Sequence, residues 1–183
     1  MEIGIEGKHV AILVEDDYED LELWYPKFRL LEEKAIVSLV GGGKEKYHSK
    51  HRYPALADAT AGKVDVDGFD AVIIPGGYAP AAMRENPAMV EFVRQAWEMD
   101  KVVAAICHGG WMLAAAEIIH GRKVTGHENI KADLEEAGGI FEDRPVVRDG
   151  LLITSRKPAD LPLFCVEIIQ TISSKQSARL KAA

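Results

Sequence analysis

The first candidate for chemistry is a cysteine set between a short β-branched run and a helix-forming stretch. In A-I-C-H-G-G (Ala105 to Gly110), Cys107 follows the apolar run K-V-V-A-A-I and precedes a helix through Ala114, Ala115 and Ala116. That is the layout of a nucleophile elbow, where a sharp strand-to-helix turn lifts the reactive side chain above the sheet edge. Such a turn needs small neighbours, and Ala105 and Gly109 supply them. A helix N-terminus also favours a thiolate, so Cys107 is expected to ionise near neutral pH. The competing reading is a packed cysteine, because cysteine is among the most buried residue types. That reading fits Cys165, in P-L-F-C-V-E-I-I on the apolar side of the last helix, better than it fits Cys107.

Two further segments end strands on the same side. E-D-D-Y-E-D-L-E (Glu15 to Glu22) follows the first strand. A carboxyl group near a cysteine sulfur donates a hydrogen bond when protonated and repels the thiolate when ionised. Glu19 and Glu22 are three apart and share a helix side, and Asp16, Asp17 and Asp20 suit an acidic first turn. The run alone does not single out Glu19. Pro75-Gly76-Gly77 ends the clearest central strand, F-D-A-V-I-I, and its backbone N–H groups could serve an oxyanion hole, although a plain tight turn explains it equally. His108 adjoins the cysteine, but consecutive helical side chains diverge, so its reach to sulfur is open. His127 follows Thr125-Gly126 at a strand end and can enter the crevice. His9, His48, His51 and His120 read as surface or loop residues. No H-E-x-x-H or comparable spacing occurs, and neither cysteine sits in a C-x-x-C pair, so neither a metal nor another cofactor is expected.

These segments need a scaffold that brings strand ends together. The 183 residues fit one domain, and 48% hydrophobic with 28% charged residues is a globular balance. Strand-length apolar runs at Lys8, Ala35, Phe69 and Lys101 alternate with amphipathic helices. The first helix, Glu19 to Glu33, has apolar Leu21, Leu23, Trp24, Phe28, Leu30 and Leu31, with Pro26 expected to kink it. Asn86-Pro87 starts a helix running to Glu98. Gly41 to Tyr53 reads as a loop or hairpin. Lys123 to Thr125 is a short strand, Ile130 to Ala137 a helix, and Val146-Val147 and Leu151 to Thr154 are strands. Asp160 caps a final helix with Leu163, Phe164, Ile168, Ile169 and Ile172 on its core face. The core covers about 8–173, with 174–183 a frayed tail. This alternation implies a mainly parallel sheet with helices on both faces, and ligands bind beyond the carboxyl ends of such strands. The net charge of -7 argues against nucleic acid and anionic membranes as partners. No stretch is long enough to span a bilayer, the start lacks a signal-peptide pattern, and the few cysteines suit a cytoplasmic location.

Five segments, in this order, resemble the ThiJ/PfpI superfamily, specifically its PfpI-type intracellular protease branch: D-Y-E-D-L-E-L-W-Y-P, F-D-A-V-I-I-P-G-G-Y-A-P, V-A-A-I-C-H-G-G, G-R-K-V-T-G and S-R-K-P-A-D-L. They span about Val10 to Ile172. The resemblance implies a flavodoxin-like three-layer sandwich of the class I glutamine amidotransferase-like kind. It places the nucleophile on Cys107, the carboxylic acid that hydrogen-bonds the thiolate on Glu19, and the following histidine on His108. The oxyanion hole falls on Gly76 and Gly77, with His108. Lys50 matches a lysine near the site, and Tyr18 and Glu22 are further candidate contacts. Family members form dimers, and this branch builds larger rings. Two positions depart from the pattern. The acid that completes a Cys-His-Glu triad in protease-like members is Ala81 here, and a tyrosine near the cysteine is His127.

Three functions follow. The first is a cysteine-dependent enzyme acting on small reactive carbonyls, glyoxalase III-like or deglycase-like, in which Cys107 adds to an aldehyde and Glu19 or His127 moves protons. The second is a cysteine peptidase, which lacks its orienting acid at Ala81, and a histidine without an orienter is a poor base. The third is a redox-sensing or chaperone-like stress protein, since an accessible low-pKa cysteine oxidises readily. The expected partners are a small carbonyl or peptide substrate and further copies of the chain.

Overall fold

The computed structural model describes residues 4–182. In chain order the elements are β1 (His9–Val14), α1 (Asp20–Glu32), β2 (Ile36–Gly41), β3 (Lys46–His48), β4 (Pro54–Leu56) and β5 (Ala59–Thr60). Then come β6 (Ala71–Ile74), α2 (Ala79–Met83), α3 (Pro87–Glu98), β7 (Val102–Ile106), α4 (Gly110–Ala115) and β8 (Lys123–Val124). The chain finishes with α5 (Lys131–Glu136), β9 (Ile140–Phe141), β10 (Val146–Asp149), β11 (Leu152–Ser155) and α6 (Leu161–Ala182).

Seven strands form one sheet in the order β10-β11-β7-β6-β1-β2-β5. Every neighbouring pair is parallel except β10 with β11. The central strands are apolar on both faces because helices cover both, so β1, β6 and β7 read as continuous runs and not as alternating ones. α1 packs on α6 over one face, and α3 packs on α4 over the other. This is the flavodoxin-like α/β sandwich. α3 starts where Asn86 accepts from the N–H groups of Ala88 and Met89, with Pro87 at the first helical position. No helix among the described residues is long and apolar enough to cross a membrane.

Several local expectations change. α1 runs through Pro26 as one element, and its buried residues are Glu22, Leu23, Pro26 and Leu30, while Leu21, Phe28 and Leu31 are exposed. Trp24 is half-buried: it donates to the Tyr18 hydroxyl and packs edge-on against Tyr53. Asp20 falls in the first turn of α1, as expected, but Asp16 and Asp17 lie before it, and the N-cap residue, Glu19, makes no side-chain cap bond. Asp16 instead accepts from the His48 N–H at 2.8 Å, and Asp20 accepts from Ser49 Oγ at 2.6 Å. They fasten the β3–β4 hairpin beside the end of β1. Asp160 likewise accepts from Arg156 Nε at 3.0 Å, and Leu163 is exposed. α6 continues through the polar segment from Ser174.

Candidate active site

Cys107 stands at the carboxyl end of β7 with φ +60. A left-handed φ costs a non-glycine residue about 1–3 kcal/mol and persists only where the surroundings impose it. They do so here. A Cβ on Gly109 would stand 2.6 Å from the Ile74 carbonyl, so the turn packs directly onto β6 and only glycine fits beside the cysteine. The thiol is buried but not sealed, at 8% exposure. The backbone N–H groups of Gly77 and His108 lie close enough to the sulfur to favour its ionised form. His108 Nδ1 lies 3.2 Å from the sulfur, so the reach left open by the sequence is made.

The carboxyl group at the sulfur belongs to Glu22, not to Glu19. α1 starts at Asp20, so Glu22 falls in its first turn and points down to the PGG turn. It is fully buried, and its Oε2 accepts from the Gly76 N–H at 2.8 Å. Its Oε1 is buried without a hydrogen-bond partner, beside Cys107. Glu19 sits at the mouth of α1 and forms an ion pair with Lys50. The oxyanion donors change for the same reason. The Gly76 N–H is occupied by Glu22, which leaves those of Gly77 and His108 facing the sulfur.

Burial dominates the electrostatics. It pushes Glu22 up to about 8, against the opposing Gly76 N–H bond and with help from the Glu19 charge. Burial and then the Glu22 charge push Cys107 up to about 12, against the two N–H donors. Burial thus works against the neutral-pH thiolate that a helix N-terminus favours. The turn after Cys107 and the six-residue α4 do not offset the loss of water. The two groups titrate as a pair. While Glu22 keeps its proton, its charge no longer opposes a thiolate and its free oxygen can carry the donated hydrogen. Burial, then His127 and Lys50, hold His108 below the ordinary imidazole range, so it is neutral and able to take the thiol proton.

His127 enters the crevice. Its ring stacks on His108 at 4.5 Å, and its backbone N–H donates to the Cys107 carbonyl at 3.3 Å. Its Nδ1 accepts from the Asn129 N–H, so the neutral ring carries its proton on Nε2. Tyr18 does not line the crevice with its ring: it is fully buried, and its hydroxyl donates to the Tyr53 carbonyl. The crevice has a volume of about 230 Å³ and is walled by Glu19, Lys50, Tyr78, Lys157 and Pro158 around the central residues. Tyr78, Lys157 and Pro158 had no expected role, although each sits in a segment that ends a strand on this side. Among the described residues, Glu19, Asp20 and His51 bring ligand-type atoms within 4.8 Å of one another, but their oxygens are engaged by Lys50, Ser49 and His51.

A sequence profile of the DJ-1/PfpI family matches residues 8–171. The chain is 38% identical over 163 residues to "Deglycase PfpI" of Pyrococcus furiosus, covering 89% of this chain and 98% of that one. It is 35% identical to "Protein/nucleic acid deglycase 2" of Escherichia coli, covering 92% and 99%. A two-domain protein from Anabaena variabilis, with dj-1/thij/pfpi-like and ferritin-like domains, superposes with a TM-score of 0.87 at 42% identity. That match covers 89% of this chain and 47% of the two-domain chain.

Proposed function

The chain belongs to the DJ-1/PfpI family, and from that premise we propose that it is a cysteine-dependent enzyme acting on small reactive carbonyls or their adducts. One observation carries this reading. A buried thiol, a neutral imidazole and a protonatable carboxyl group converge with two backbone N–H donors in a crevice of small volume. His108 takes the thiol proton as sulfur adds to an aldehyde carbon. The resulting oxyanion is met by the N–H groups of Gly77 and His108. For a 2-oxoaldehyde the hemithioacetal then loses its C1 proton and regains one at C2, giving a 2-hydroxy thioester. Water cleaves that thioester, releasing the hydroxy acid and returning the thiol. No external oxidant is needed, because one carbon is oxidised as its neighbour is reduced. Relatives that carry the name deglycase support the same class of substrate.

The test is turnover of methylglyoxal and of its thiol adducts, with Cys107→Ser losing it. Retained turnover in that variant would sink the covalent mechanism. A peptidase reading is favoured by one feature, the 3.2 Å approach of His108 to sulfur. Against it, Ala81 supplies no acid, and among the described residues no carboxylate hydrogen-bonds His108. Efficient hydrolysis of a peptide panel by the unaltered protein would reverse the ranking. We further propose that the protein acts as a homo-oligomer, because α1 exposes Leu21, Tyr25 and Phe28 along one stripe.

A further inference from the structure

Glu19, Lys50 and Lys157 stand on the wall of the Cys107 crevice, with Glu22 set deeper against the Gly76 N–H. Glu19 and Lys50 form an ion pair in which the Glu19 side chain is 11% exposed and that of Lys50 33%. A carboxylate so sheltered is weakly screened, and its charge is felt by whatever enters. Lys50 answers that charge only while it stays in place, and a lysine side chain is a flexible stem.

The segment that carries Lys50 does not hold itself. It is the turn between β3 and β4, where Arg52 has φ +70, a left-handed conformation that persists in a non-glycine residue only when neighbours impose it. Those neighbours are Ser49 and Asp20. The buried Ser49 Oγ accepts from the N–H groups of His51 at 3.1 Å and Tyr53 at 3.0 Å. Its own hydrogen goes to Asp20 Oδ1 at 2.6 Å, and Asp20 Oδ2 lies 2.7 Å from His51 Nδ1. One carboxylate, anchored in the first turn of α1, thus grips the residues on both sides of Lys50. The Lys50 N–H donates to the Tyr18 carbonyl at 3.0 Å, which fixes the backbone between the two grips.

We propose that Asp20 is a positioning residue for the crevice: by clamping Ser49 and His51 it keeps the Lys50 ammonium on Glu19, so that an anionic molecule can pass to Cys107 without meeting a bare carboxylate. Asp20 itself touches nothing that reacts. The proposal does not depend on which substrate Cys107 attacks, and a failure to turn over methylglyoxal would leave it standing.

Iodoacetate and iodoacetamide reach the same sulfur and differ in charge. The quantity measured is the ratio of their rates at Cys107, followed by peptide mass at one pH and low salt, relative to the same ratio for free cysteine. Asp20→Ala should lower it about three- to tenfold, the effect of one unanswered carboxylate on an anion passing close by. Removing a negative charge without releasing Lys50 would raise the ratio instead, so the sign separates positioning from plain electrostatics. Lys50→Met should give the same fall, with no further fall when Asp20→Ala is added. Glu19→Gln added to Asp20→Ala should restore the ratio. An unchanged or raised ratio in Asp20→Ala, or an equal further fall in the Lys50→Met background, would overturn the proposal. Should Cys107 resist both reagents, hydrogen exchange decides. Asp20→Ala should then speed exchange of the His51 and Tyr53 amides by about tenfold, and unchanged protection there would overturn the clamp.

Discussion

At the residue scale the site is a proton-holding pair beside a base. Glu22 and Cys107 are both raised, chiefly by burial. Carbamidomethylation of Cys107 by iodoacetamide should therefore keep rising above pH 8 with no plateau near neutrality. Glu22→Gln should speed it at pH 9, because the charge opposing the thiolate is gone; an unchanged or slower rate would contradict the pairing. Cys165, pushed up to about 12 by burial against the opposing charge of Arg29, should label only on unfolding. Glu22 also predicts a stability slope. Its folded value of about 8 lies above the ordinary 4.5, so between those values the folded state holds the extra proton. Stability should then fall as pH rises through that window, by up to about 5 kcal/mol in denaturant titrations. Glu22→Gln should flatten the slope, and an equal slope in both proteins would place the proton elsewhere.

At the element scale the site is made by strand ends and the turns that follow them. Gly77 has φ +81, and a Cβ there would stand 2.5 Å from the Glu19 nitrogen. Gly77→Ala should cost about 2 kcal/mol or more in chemical unfolding, through strain and displaced backbone. It should also abolish turnover, since the same residue's N–H favours the thiolate. A variant of normal stability and activity would show that the close approach is not needed. The strands, the α3 start and the elbow were legible because each is local: continuous β-branched runs, Asn86-Pro87, and small residues around Cys107. The choice between Glu19 and Glu22 was not legible. It turns on where α1 begins, a single-residue matter of register that shared helix-side spacing cannot resolve. The role of Asp16 and Asp20 was hidden because their partners lie in the hairpin, some thirty residues on. Lys157 went unassigned because it reaches the crevice from the turn after β11, a placement that only the fold makes.

At the scale of the whole molecule, Leu21, Tyr25 and Phe28 leave an apolar stripe on α1, at 56%, 39% and 57% exposure. Light scattering should give a multiple of the 20.1 kDa chain mass. Phe28→Glu should shift the distribution toward the single chain; a wild-type protein already running as a single chain would refute the assembly. The order of strands has a further consequence. The groups around the sulfur come from positions 22, 77, 107 and 127, and the sheet that gathers them is parallel almost throughout. Parallel neighbours cannot be joined by tight hairpins, so each pairing closes a long stretch of chain before it is rewarded. No early, local fragment can hold the thiol, the imidazole and the carboxyl group together. During refolding, turnover should return last, after helical signal and after compaction, and so report on completion of the sheet. A chain stalled with β11 undocked would keep its helices and its cysteine yet be inert.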